Sequence, residues 1–108
     1  MSFADNKEHE KYLARLFGGR VRKASGATWT QKGDVMTGKF LIEAKLRGGS
    51  GMTVSREKFE KIEREAVKEG KIPLIVVAFK ELSETDQFVV VRLPYFMRIL
   101  EGENGKEN

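Results

Sequence analysis

The stretch Gly33-Asp34-Val35-Met36-Thr37-Gly38-Lys39-Phe40-Leu41-Ile42-Glu43-Ala44-Lys45-Leu46 decides the fold of this 108-residue chain. Gly38-Lys39 is a turn dipeptide, so Asp34 to Thr37 and Phe40 to Leu46 are predicted as the two strands of a hairpin. A strand alternates its side chains. Glu43 and Lys45 therefore project to one face, and Ile42, Ala44 and Leu46 to the other, the expected core face. With Asp34 on the neighbouring strand, two carboxylates and an ammonium share one region of a sheet. Such a set can hold a hard divalent cation and position a water against a phosphodiester.

On the N-terminal side, Asp5 or Asn6 can cap a helix running to about Phe17, with Tyr12, Leu13, Leu16 and Phe17 at helical spacing and Gly18-Gly19 as its stop. Arg20 to Ala24 alternates like a short strand, and Ser25-Gly26-Ala27-Thr28 is turn-rich. On the C-terminal side, Arg47-Gly48-Gly49-Ser50-Gly51 leaves the backbone nearly unrestrained and is expected to be a mobile loop at the site. Ser55 caps a second helix, in which Phe59, Ile62, Ala66 and Val67 form an apolar stripe, and Gly70 ends it. Pro73 to Phe79 is a continuous apolar run, as in a central strand buried on both faces, and Gln87 to Leu93 is a further strand. Pro94 opens a short helix to about Glu101. Residues 102–108 are polar and read as a disordered tail, leaving 1–101 as one folded domain. A strand that crosses through a helix to another strand gives an α/β fold with a mixed sheet flanked by helices.

Composition bounds the function. The length suits one domain, and the longest apolar run is far too short to span a bilayer, so no membrane association is expected. The chain has no cysteine and its first residues lack a secretory pattern, which makes the cytoplasm the expected compartment. A net charge of +4 is modest, but its distribution is uneven. Arg15, Arg20, Arg22, Lys23, Lys32 and Lys39 fall where Asp34 is the sole acid between Lys11 and Glu43. A basic approach to an acidic pair suits an enzyme acting on a polyanion, the cations holding phosphates and the carboxylates a metal.

Gly33-Asp34, then Glu43-Ala44-Lys45, with a glutamate in the preceding helix and Ser25-Gly26 between, resembles the PD-(D/E)xK nuclease superfamily. Within it the chain looks most like the small archaeal and phage Holliday-junction resolvases, over nearly its whole length. Gly33 stands where the motif's proline would be. The resemblance implies a restriction-endonuclease-like sheet and Mg2+ as cofactor, with Mn2+ able to substitute. It implies Asp34, Glu43 and the carbonyl of Ala44 as metal ligands, and Lys45 as the group that orients or deprotonates the attacking water.

The superfamily also places a glutamate on the first helix. Glu8 and Glu10 are both candidates, and taking Leu13, Leu16 and Phe17 as the buried face favours Glu10, which the resemblance implies as a further metal ligand. Ser25 aligns with a loop serine near the scissile phosphate. Arg20, Arg22, Lys23, Lys32, Arg47 and Arg56 are candidate phosphate contacts, and Trp29 could stack on an exposed base. His9 is expected to be solvated, neither ligand nor base. The implied activity is paired symmetric nicking of four-way DNA junctions, in a prokaryotic or phage-infected cell, by a homodimer that meets through its final strand and helix, where Phe88, Tyr95, Phe96 and Met97 exceed what the core can hide. A related nuclease acting on linear or damaged duplex, or a non-catalytic DNA-binding relative, are the other readings.

Overall fold

Local signals start and stop the first two helices. In a computed structural model that describes residues 3–22 and 34–106, with Asp34 and 103–106 given by backbone alone, α1 spans Asn6–Phe17 and α2 spans Arg56–Glu69. Asp5 accepts a hydrogen bond from the N–H of Glu8 at 2.9 Å, and Ser55 accepts one from Lys58 at 3.2 Å, so each cap satisfies an orphan donor of its first turn. Gly18 and Gly70 end the helices in the left-handed conformation that glycine enters without steric cost.

Five strands form one sheet in the order β1 (Arg20–Val21), β2 (Asp34–Met36), β3 (Phe40–Arg47), β4 (Ile72–Phe79), β5 (Phe88–Val90), followed by α3 (Leu93–Lys106). β3 and β4 are parallel, joined through α2, and the other pairs are antiparallel. The result is a single α/β domain with a mixed sheet and a helix layer on each face. β4 is buried from Ile72 to Ala78, as its unbroken apolar run predicts for a central strand.

Strand alternation divides the core in two. Ile42 and Ala44 of β3, with Val35, Leu74 and Val76, pack under Leu13 and Ala14 of α1 and against Tyr95 and Ile99 of α3. Leu41, Ile75 and Val77 point the other way, under Phe59, Ile62 and Ala66 of α2. Each fully buried leucine or isoleucine removes enough apolar surface from water to contribute about 2 kcal/mol, so these two layers dominate stability. No helix among the described residues is long and apolar enough to cross a membrane.

The expectations need correction in several places. Leu16 and Val67 are exposed rather than core. Each helix buries only a narrow stripe against the sheet, and these residues lie at its margin. β5 ends at Val90 instead of Leu93, because Pro94, favoured in a first helical turn, starts α3 early. α3 continues past the expected end at Glu101 to Lys106. β1 spans Arg20–Val21, with Arg22 already outside it, so the expected strand to Ala24 is shorter, and the Ser25 to Thr28 turn lies outside the described residues. At the hairpin neither Gly38 nor Lys39 has positive φ, so the tight mirror-image turn is not used. Instead Thr37 Oγ1 accepts from the N–H groups of Lys39 and Phe40, and the Lys71 ammonium donates to the carbonyls of Thr37 and Gly38.

Candidate active site

Asp34 and Glu43 are direct register partners across β2 and β3. The N–H of Thr37 donates to the carbonyl of Phe40 at 2.9 Å, so the backbone groups of Phe40, Ile42 and Ala44 point toward β2 and those of Glu43 point away from it. Asp34 and Glu43 thus form a non-hydrogen-bonded pair, the closer of the two antiparallel spacings, with Cα atoms about 4.5 Å apart. Glu43 lies on the α2 face, two residues along β3 from Leu41. The carbonyl of Ala44 points past Asp34, where the described pairing of β2 has ended. The register thus brings the Asp34 position, Glu43 and the Ala44 carbonyl to one end of the sheet.

Lys45 follows on the same face, its Nζ 3.2 Å from Glu43 Oε2. Both side chains are largely but not wholly covered, at 27% and 19% exposure, so the pair keeps access to solvent. Arg47 continues this charged row, half-buried. In the loop beyond it, Gly49 takes positive φ and donates its N–H to Glu81 at 3.3 Å.

The two glutamates of α1 separate cleanly. Glu8 is exposed and its Oε1 accepts the N–H of Ala4 at 3.1 Å, a capping contact. Glu10 is half-buried, one turn before the buried Ala14, and burial pushes its carboxyl above the usual range, with Lys7 opposing and Asp5 adding. α1 runs antiparallel to β3, since Phe3 before its first turn packs with Leu46 and Phe17 at its end meets Phe40. Glu10 consequently lies toward the end of the sheet that carries Lys45, on the opposite face.

His9 overturns its expectation: it is fully buried, not solvated. Its Nε2 lies 2.7 Å from Gln87 Oε1, and desolvation lowers its pKa while the Gln87 bond raises it. The signal was present in the sequence, because His9, Leu13 and Phe17 recur at intervals of four on one helix face.

Of the other candidates, Arg20 is exposed on β1, Arg22 reaches Glu69 of α2 at 3.9 Å, and Arg56 is exposed and pairs with Glu60 at 3.0 Å. The structure does not bring these three and Arg47 into one described cluster around Glu43. Lys23, Ser25, Trp29 and Lys32 lie outside the described residues. Among the described side chains no three His, Asp or Glu form a metal site. A cleft of about 500 Å³ lies elsewhere, between the start of α2 and β5, lined by Val54, Phe59, Val90 and Arg92 among others. No family model, no curated protein and no solved structure matches the chain, so the reading of its chemistry rests on these residues.

Proposed function

We propose that this chain is a metal-dependent, structure-selective endodeoxyribonuclease of the PD-(D/E)xK type, with a restriction-endonuclease-like sheet, acting on four-way DNA junctions. The observation that carries the reading is the register of Asp34 with Glu43, with Lys45 ion-paired two residues further along the same face. The donor set fits Mg2+ or Mn2+: Asp34, Glu43 and the Ala44 carbonyl offer hard oxygens, and the chain has no thiolate. When bound, the metal supplies Lewis-acid polarisation of the phosphate and acidifies a water.

Lys45 is placed to orient that water and to stabilise negative charge growing on the phosphate, a role an ammonium held at 3.2 Å from Glu43 performs without reorganising. Glu10, with a carboxyl held above its ordinary pKa, is the third acidic group. Water attack in line would leave a 5′-phosphate and a 3′-hydroxyl, as the resemblance implies. Two symmetric cuts need two sites, hence a homodimer. Exposed Phe88, Val89, Leu93, Phe96, Met97 and Leu100 on β5 and α3 support that contact.

The test is to incubate a fixed four-way junction and a linear duplex of the same arms with and without Mg2+, mapping nicks on all strands. Paired symmetric nicks in the junction alone support the proposal. Equal cutting of linear duplex favours a duplex-directed nuclease, and metal-independent binding without cutting, unchanged in Glu43→Ala, favours a DNA-binding protein.

A further inference from the structure

Among the described residues, a polar bond in otherwise apolar surroundings ties the first turn of α1 to the loop that enters β5. The His9 ring packs on Phe3 at 4.9 Å, and Phe3 packs in turn with Leu46 and Ala78. Gln87 Nε2 donates to the carbonyl of Glu84 at 2.7 Å, which leaves Oε1 as the acceptor and assigns the hydrogen to His9 Nε2. His9 Nδ1 is then a buried lone pair with no hydrogen-bond partner among the described residues.

As a stabilising element this is a poor choice. A buried acceptor without a partner costs free energy, and a leucine or phenylalanine would fill such a space without that cost. What the imidazole adds is direction. The bond forms at only one rotation and one height of α1, a specificity that apolar packing does not impose. Its two ends also matter: Glu10 follows His9 directly, while Gln87 precedes Phe88, whose register partner is Val77, and so stands level with Ala78, beside the end of β3 that carries Lys45.

We infer that the His9–Gln87 bond is a positioning device that fixes the rotation and height of α1 and thereby delivers the Glu10 carboxylate to the end of the sheet where Asp34, Glu43 and Lys45 stand. The inference rests on the nuclease reading, and makes His9 and Gln87 positioning residues, not catalytic ones.

The full chain is compared with His9→Leu, Gln87→Leu and the double variant, each alone and combined with Glu10→Gln, by single-turnover junction cleavage in Mg2+, junction affinity and thermal unfolding. Replacing both partners by leucine is expected to leave Tm unchanged or higher, and junction affinity unchanged, while the cleavage rate falls about ten- to a hundredfold. In the Glu10→Gln background the same changes should cause no further loss, because they act through a carboxylate already removed. Gln87→Leu leaves the α1 interior filled and carries the test should His9→Leu fail to fold. An unchanged rate in Gln87→Leu, or an undiminished loss without Glu10, overturns the inference while the nuclease reading stands. A wild-type chain with no metal-dependent cleavage overturns both.

Discussion

Lys45 Nζ stands 3.2 Å from Glu43 Oε2, two residues along the same strand and face. If Glu43 holds a metal as proposed, a cation that close competes with it electrostatically, and its place in the site is then explained by what it does to the water and phosphate. Lys45→Ala is therefore expected to bind Mn2+ a few-fold more tightly by calorimetry, yet to cleave junctions about a hundred- to a thousandfold more slowly in single turnover. Glu43→Ala should lose both metal binding and cleavage. Weaker Mn2+ binding in Lys45→Ala would refute this division of roles.

Gly19 sits where the chain leaves α1 and meets β2. A Cβ there would lie 2.3 Å from the carbonyl oxygen of Met36 and 2.7 Å from Thr37 Cγ2, and the first of these is backbone that cannot step aside. Gly19→Ala should cost about 2–3 kcal/mol, a fall in Tm of roughly 10–15 °C. Gly38→Ala, where a Cβ would meet nothing within 4 Å and φ is not positive, should stay within about 0.5 kcal/mol when both variants are unfolded in urea. Equal effects of the two changes would contradict the close approach.

What could be read from the sequence was local. Asp5, Ser55, Gly18 and Gly70 bound their helices because capping is decided within four residues, and strand alternation placed Glu43 with Lys45. That Glu10 is the more buried of the two α1 glutamates was also legible, although one of the reasons for it, a buried Leu16, was mistaken. The bond between His9 and Gln87 spans 78 residues and leaves no short-range pattern. The length of β5 was likewise set by competition with the helix that follows it, which a strand pattern alone does not contain.

Tyr95 gives α3 a pH-dependent tie to α2. Its hydroxyl donates to Glu63 Oε2 at 2.6 Å, and that carboxylate also accepts from Arg92 at 2.5 Å. The bond to Glu63, with burial adding, raises the Tyr95 pKa above its ordinary value of about 10. A raised folded pKa means that the contribution is fully present below the unfolded value and is lost as pH rises through the higher folded one. The stability difference between wild type and Tyr95→Phe, measured by urea unfolding, should be constant to about pH 9 and vanish above the raised pKa. A difference that stays constant through about pH 11 would show that the hydroxyl does not hold the two helices.

The outer face of α3 is an exposed apolar stripe. Leu93, Phe96, Met97 and Leu100 recur at helical spacing of three and four, with Leu93 at 69% exposure, and Phe88 and Val89 on the edge strand β5 are more than half exposed. Phe88 and Val89 point to opposite faces of β5, so the four α3 side chains with Val89, at roughly 100 Å² each, offer on the order of 500 Å² of apolar surface, over half of the ~800 Å² that a stable interface buries on each partner. An edge strand with free backbone groups pairs most readily with another strand, and a second copy of β5 about a two-fold axis supplies one. Wild-type protein should sediment as a dimer at micromolar concentration. Met97→Glu, which places a charge at the centre of the stripe without touching the core, should weaken the dimer at least tenfold while leaving monomer unfolding unchanged. A wild-type chain that remains monomeric at tens of micromolar would remove β5 and α3 as the dimer surface, and with it the simplest route to paired cuts.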